Sequence, residues 1–427
     1  MNKNPNHITV FEHEILRHDK GERRITMDQW KALQSFYGEG IPYYNLCYNG
    51  VKFNEHVGAI QIGKTLIEVL PKADRNPGSV EEEEKWRKIL IEMLRAVGGF
   101  DIKAPSYSNL KIKPNTILDL YFELFIKEVE YLLHSGLVKQ YRKNERNETA
   151  LKGSLQFARH LQLNLTHQER FFVRYTTYDV KHKLHFILYK TLRLLKQINL
   201  NASLNSRIGN LLLNFPEMPD ISVSESTFDK LIFNRKTLPY KNAIEISRLI
   251  LLQYHPDLKK GRNHVLALMF DMNTLWEKFV FVSLLKNKQP DDTITSQTSM
   301  NFWQPQNGNR SSIKPDIVIN KDKENCGVLD TKWKNLNGFK PAIEDLRQMY
   351  SYHEYYNAKK VALVYPGAES GIKSGIFFPT PTYNQMDKEC SIILLAVPKV
   401  KRENNNLVKI WQDEIRLSID HWMKINT

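Results

Sequence analysis

The sequence predicts an α+β, multidomain protein, and three features predict it. The first hundred residues hold short strand-like runs, the middle holds long helical stretches, and the last third alternates strands with helices. A chain of 427 residues has room for two or three domains, each with its own core. The expected domains are 1–100, small and β-rich; 101–262, mainly helical and basic; and 263–427, an α/β core.

In the first segment, residues 8–11, 43–48, 58–62 and 65–70 read as strands, with Gly63 and Lys64 as the hairpin turn between the last two. Ser79 is a candidate cap for the next helix, whose first turn, Glu81 to Glu84, is acidic and complements the helix dipole. Gly98 and Gly99 stop it. Apolar periodicity predicts helices over 118–137, 180–198 and 243–254. Residues 141–148 are polar and read as an exposed loop, and 256–262 as a polar linker.

In the last third, 269–285 reads as a helix with a wide apolar stripe, and 300–304 with the turn residues Asn307, Gly308 and Asn309 as a strand and hairpin. Pro341 is placed to open a helix running to about 358. Its Asp345, Gln348, Tyr352 and Tyr356 share one face. Residues 361–365 are nearly all apolar, as in a strand buried on both faces, and a right-handed crossover would set it parallel in the same sheet.

The chemistry concentrates in two strand-like pieces, Lys314-Pro315-Asp316-Ile317-Val318-Ile319 and Gly327-Val328-Leu329-Asp330-Thr331-Lys332. Asp330 and Lys332 are two apart, so on a strand they point the same way. Two carboxylates and a lysine converging on one point suit a Mg²⁺ ion, a hard cation that takes oxygen ligands, set against a phosphodiester. The bland alternative is a surface hairpin with solvated charges. Glu277 has two readings as well: an exposed position on an amphipathic helix, or a third carboxylate facing the metal.

The order helix, three strands, helix, strand resembles the PD-(D/E)xK nuclease core, and Gln348-x-x-x-Tyr352 resembles the extension found in its RecB-like branch. More specifically, Pro315-Asp316-Ile317-Val318, Leu329-Asp330-Thr331-Lys332-Trp333-Lys334 and Asp345-Leu346-Arg347-Gln348-Met349-Tyr350-Ser351-Tyr352 resemble the McrC family, the nuclease subunits of modification-dependent restriction systems. Looser matches are Val57-Gly58-Ala59-Ile60, Glu68-Val69-Leu70-Pro71-Lys72, Gly153-Ser154-Leu155 and the stretch from Met269 to Phe279; His185 departs, standing where asparagine is expected. The resemblance implies a Mg²⁺-dependent endonuclease in which Asp316 and Asp330 bind metal, with Glu277 as a further candidate ligand. Lys332 would orient water or phosphate, and Gln348 and Tyr352 would support the phosphate. It also implies a partner, an AAA+ GTPase ring of the McrB kind, docked by the first segment. A stand-alone RecB-like repair nuclease and a non-catalytic adaptor are the alternatives.

Composition sets the remaining expectations. The net charge is +14, and it is unevenly spread. Residues 1–100 carry 14 basic and 14 acidic side chains, residues 101–260 carry 25 and 15, and residues 261–427 carry 22 and 18. The middle is therefore the best electrostatic candidate for double-stranded DNA, with Lys190, Arg193 and Lys196 as one basic helical stripe and Lys334 beside the nuclease residues. A merely solvated basic face is the alternative. No phosphate-cradling Gly-x-x-x-x-Gly-Lys-Ser/Thr run occurs, so the GTP would be bound by the partner and not by this chain. No apolar run approaches spanning length and the N-terminus has no apolar signal region, so a cytoplasmic protein without membrane contact is expected. Cys47, Cys326 and Cys390 are too few for a four-cysteine iron–sulfur cluster and are expected to be buried. His182 and His185, three apart, read as packing residues rather than metal ligands.

Overall fold

The computed structural model describes residues 6–37, 41–72, 80–97, 116–255, 264–286, 288–334, 336, 339–378, 388–398 and 407–425. Ser79, Gly98, Gly99 and the 256–262 stretch lie outside them. The described residues form a mixed α/β protein, divided into two compact units. One comprises Met1–Ile60, Leu66–Gly99 and Met269–Thr427; the other comprises Gln61–Thr65 and Phe100–Leu268.

The first unit is built on a six-stranded sheet in the order Ile294–Ser296, Ile317–Ile319, Gly327–Thr331, Lys360–Gly367, Glu389–Ala396, Gly371–Ile376. The first three strands are antiparallel. Gly327–Thr331, Lys360–Gly367 and Glu389–Ala396 run parallel, and Gly371–Ile376 closes the far edge antiparallel. The parallel step from Gly327–Thr331 to Lys360–Gly367 passes through the helix Ile343–Tyr356, a crossover connection of the kind expected. Lys360–Gly367 is buried over all but its last residue, which explains its unbroken apolar run.

Each face of that sheet has a distinct covering. Val328, Leu363, Tyr365 and Ile392 pack with Met349, Tyr352 and Tyr356 from the crossover helix. Asp330 follows Val328 by two residues and lies directly across from Leu363, so the pleat aims it at this same helix. The helix Met272–Lys286 begins later than the periodicity suggests. Val265–Asp271 is a strand, and the helix starts where Asp271 Oδ1 accepts the Thr274 N–H at 2.6 Å. Its Trp276 donates to Val364 O at 3.4 Å and packs on Trp411 of Leu407–Lys424 and on Trp333.

The N-terminal residues belong to this unit too. His7–Phe11 runs parallel to Thr65–Leu70, with Phe11 opposite Leu70. A small antiparallel sheet joins Ile15–Arg17, Gly50–Phe53 and Tyr44–Cys47. From the helix Val80–Val97, Trp86 meets Trp333 edge-on, with ring centroids 6.3 Å apart.

In the second unit the helices Ile117–His134, Lys183–Ile198, Ala202–Asn214 and Lys241–Leu252 pack on one another. Arg207 ties Glu123 and Glu130 together across them. One expectation fails here. The polar stretch read as a loop is a nine-residue strand, Gln140–Glu148, paired along its whole length with Phe171–Asp179. It buries none of its residues, so it carries no apolar alternation to betray it. Cross-strand ion pairs line it instead, Arg174 to Glu145 and Arg142 to Asp179. No helix among the described residues is long and apolar enough to cross a membrane.

Candidate active site

The site grows from the end of the Gly327–Thr331 strand. Asp330 is buried there, 2% exposed, and Lys332 stands one residue past the last strand position. The Lys332 N–H donates to Val364 O at 2.9 Å, so the backbone stays in register beyond the strand. Its Nζ lies 2.7 Å from Asp330 Oδ2. Asp316 precedes the neighbouring antiparallel strand Ile317–Ile319 and is fixed by Thr331, whose N–H and hydroxyl both donate to Asp316 Oδ2 at 2.6 and 2.8 Å.

Two helices complete the surroundings. Glu277, half-buried on Met272–Lys286, accepts from Gln297 Nε2 at 2.6 Å. On the crossover helix, Gln348 Nε2 donates to the Tyr352 hydroxyl at 2.7 Å, and that hydroxyl donates to Lys314 O at 3.2 Å, two residues before Asp316. One turn earlier, Asp345 is buried, takes the Tyr365 hydroxyl at 3.4 Å, and lies 3.9 Å from Lys334 Nζ.

The electrostatics show that these groups sense one another. Burial, then the charge of Asp316, pushes the Asp330 carboxyl up to about 6, against the pull of Lys332. Burial, then Asp316 again, raises the Glu277 carboxyl. Burial works against the Lys332 ammonium, but Asp330, Asp316 and Asp345 together hold it above the ordinary lysine value. Burial, then Asp330, raises the Tyr352 phenol.

Asp316, Asp330, Lys332, Glu277, Gln348 and Tyr352 therefore lie within one electrostatic neighbourhood. The residue sequence reasoning left out is Asp345, whose charge acts on both Asp330 and Lys332. Its signal was present, an acid three residues before Gln348 on the same helical face. Thr331 was also passed over, because the middle position of Asp-x-Lys reads as a spacer.

The donor chemistry suits a hard divalent cation, although no three of the site's carboxylates bring ligand atoms within 4.8 Å of one another. Asp316, Asp330, Glu277 and Asp345 offer carboxylate oxygens against one closely paired ammonium. Beyond its Lys332 contact, the buried Asp330 Oδ2 accepts no hydrogen bond from the described residues. Concentrated negative charge on hard carboxylate oxygens is what a Mg²⁺ ion would relieve.

The residues expected to bind DNA divide between the units. Lys334 is exposed near Asp345 in the first. Lys190, Arg193 and Lys196 lie on Lys183–Ile198 in the second. Lys190 Nζ is taken by Asp220 Oδ1 at 2.7 Å, and Lys196 Nζ donates to Asn205 O at 3.4 Å. Arg193 is exposed, with its charge acting on Asp220. His185 is fully buried, its ring nitrogens 2.5 Å from Val180 O and 3.0 Å from the Tyr240 hydroxyl, and its ring packs on His182. Both histidines have packing roles.

A buried aspartate–lysine pair among further carboxylates, at the end of a mixed sheet, defines a multidomain α/β protein with a carboxylate–lysine centre. The chain belongs to the family described as the McrBC 5-methylcytosine restriction system component, whose model matches residues 51–366. The segments around Asp316, Asp330 and Gln348 that carry the McrC resemblance all fall inside that match. No curated protein matches in sequence. Among solved structures, the chain resembles one from the refined half-complex of a tetradecameric assembly of Thermococcus gammatolerans McrB AAA+ hexamers with bound McrC. That likeness has a TM-score of 0.69 at 20% identity, covering 97% of this chain and 100% of the other. A chain in the cryo-EM structure of the Thermococcus gammatolerans McrBC complex gives a TM-score of 0.47 at 20% identity, covering 66% of this chain and 88% of that one.

Proposed function

We propose that this chain is the Mg²⁺-dependent endonuclease subunit of a GTP-driven restriction complex that cuts double-stranded DNA carrying modified cytosine. The observation that carries the proposal is the buried Asp330–Lys332 pair, 2.7 Å apart, with Asp316 held beside it by Thr331. The helix–strand–helix–strand order around it supports a PD-(D/E)xK core, and family membership supports the restriction setting. The partner in this reading is an AAA+ GTPase ring of the McrB kind, the assembly found with the structural relative.

The residues divide the work. Asp316 and Asp330 would hold the ion, with Glu277 and Asp345 as flanking carboxylates. A bound Mg²⁺ supplies charge neutralisation at the phosphate and acidifies water. Lys332, kept protonated by its carboxylate neighbours, orients the attacking water or a phosphate oxygen. The Gln348 amide, tethered by the Tyr352 hydroxyl, stands on the same helix face to hydrogen-bond the phosphate.

Cleavage of methylated DNA by the chain assembled with its cognate GTPase, GTP and Mg²⁺ tests the proposal. Asp330→Ala should cut at least about a hundredfold more slowly while still assembling, since it removes transition-state charge stabilisation on the order of 3 kcal/mol. Cutting by Asp330→Ala at the wild-type rate would overturn the assignment.

A further inference from the structure

Lys332 lies one residue beyond its strand, and its N–H on Val364 O is the last bond of the sheet ladder that holds it. The next residue, Trp333, is held at three points. Its N–H donates to Asn273 Oδ1 at 3.2 Å, its ring is buried between Trp86 and Trp276, and its indole N–H donates to Glu12 Oε1 at 2.9 Å. Glu12 follows the N-terminal strand His7–Phe11, 321 residues earlier in the chain.

Glu12 is an unusual side chain for a structural anchor. It is 4% exposed, its Oε1 also accepts the Lys72 N–H at 2.6 Å, and its Oε2 is buried with no hydrogen bond among the described residues. Burial pushes its carboxyl up to about 7, and the nearby Glu55 adds to the rise. A buried carboxylate is costly, and an amide would accept the same two hydrogen bonds.

We infer that Glu12 is a positioning residue for Lys332, acting through Trp333. The inference rests on the nuclease reading for its catalytic consequence, but its structural half stands apart. The N-terminal strand clamps the Trp333 ring, and the clamp holds the adjacent Lys332 ammonium against Asp330. Displacement of that strand, as by a docking protein, would then be felt at the lysine.

Two variants break the clamp differently. Glu12→Leu removes the acceptor, and Trp333→Phe keeps a ring between Trp86 and Trp276 but removes the donor. The full chain in its GTPase complex should lose roughly ten- to hundredfold in kcat in either variant, with KM for DNA unchanged. The double variant should lose no more than the worse single one, because both remove one interaction. Glu12→Gln should restore the rate. Wild-type kcat in Trp333→Phe, or additive losses in the double variant, would overturn the inference.

Amine labelling of Lys332, followed by peptide mass spectrometry on the free chain, reads the structural half without activity. Glu12→Leu should speed labelling of Lys332 several-fold and leave unchanged that of Lys359, an exposed lysine whose N–H donates to Cys326 O at 2.8 Å. An unaltered Lys332 rate overturns the inference whether or not the chain cuts DNA, whereas an altered rate in a chain that never cuts would overturn only the nuclease reading.

Discussion

Thr331 donates twice to one oxygen of Asp316, from its backbone N–H at 2.6 Å and its hydroxyl at 2.8 Å. The residue between Asp330 and Lys332 thus fixes the carboxylate on the adjacent strand. Three consecutive residues serve three ends: one acid, one clamp for the other acid, and one ammonium.

Thr331→Val keeps the shape and the N–H bond but removes the hydroxyl. A hydrogen bond to a charged group contributes about 1.5–3 kcal/mol, so cleavage should fall by at least about tenfold. Thr331→Ser should retain most of the activity. Equal rates for the valine and serine variants, measured at saturating Mg²⁺, would show that the hydroxyl does not orient Asp316.

His185 sets a pH dependence of stability. Burial lowers its imidazole to about 4, and His182 beside it adds to the fall. The folded value lies below the unfolded one, so the unfolded chain takes up the proton first as the solution is acidified. Stability is therefore lost between about pH 6.5 and 4, levelling off at about 3 kcal/mol below that window. His185→Asn should flatten this part of the melting-temperature profile, leaving the contribution of His182. Parallel wild-type and variant profiles from pH 7.5 to 4.5 would rule this out.

Much of the candidate site was legible because its chemistry is local in sequence. Asp330 lies on a strand that Lys332 continues by one residue in the same register, and Gln348 and Tyr352 share a helical face, so periodicity alone grouped each pair. Helix–strand alternation around them was equally readable, since Lys360–Gly367 is buried on both faces and its sequence shows it. What escaped depends on distant contacts. Nothing near Glu12 points to Trp333, and nothing in Gln140–Glu148 marks a strand, because its pairing rests on ion pairs and backbone bonds instead of an apolar face.

The first hundred residues show the same limit. Their zero net charge and short strands suggest a module separable from the nuclease, with partner docking as its role. Yet Met1–Ile60 and Leu66–Gly99 share a compact unit with Met269–Thr427. Glu12 bonds Trp333, Trp86 packs on it, and Glu92 accepts the Val408 N–H at 3.3 Å. A fragment beginning at residue 101 should therefore lose cooperative unfolding in its nuclease part, not merely stimulation of the GTPase. Circular dichroism melting decides it. A sharp transition near that of the full chain would restore the separable-module view.

The basic stripe on Lys183–Ile198 allows a finer prediction than its composition does. Lys190 is paired with Asp220, and Lys196 donates to Asn205 O, so both have protein partners to leave before meeting a phosphate. Arg193 is exposed, as is Lys196, but makes no such hydrogen bond or ion pair among the described residues. A phosphate contact contributes about one unit to the slope of log affinity against log salt and carries no sequence information. Arg193→Glu should then weaken binding to methylated and unmethylated DNA alike, and reduce the slope by about one. Adding Lys190→Glu and Lys196→Glu should do little more to the slope. The Lys190 change should instead lower stability, because it sets a second acid against Asp220. Binding isotherms at several salt concentrations separate the outcomes. A slope lowered by about three in the triple variant would mean that Asp220 and Asn205 release their lysines to DNA. An unchanged slope in Arg193→Glu would take the DNA path off this helix altogether.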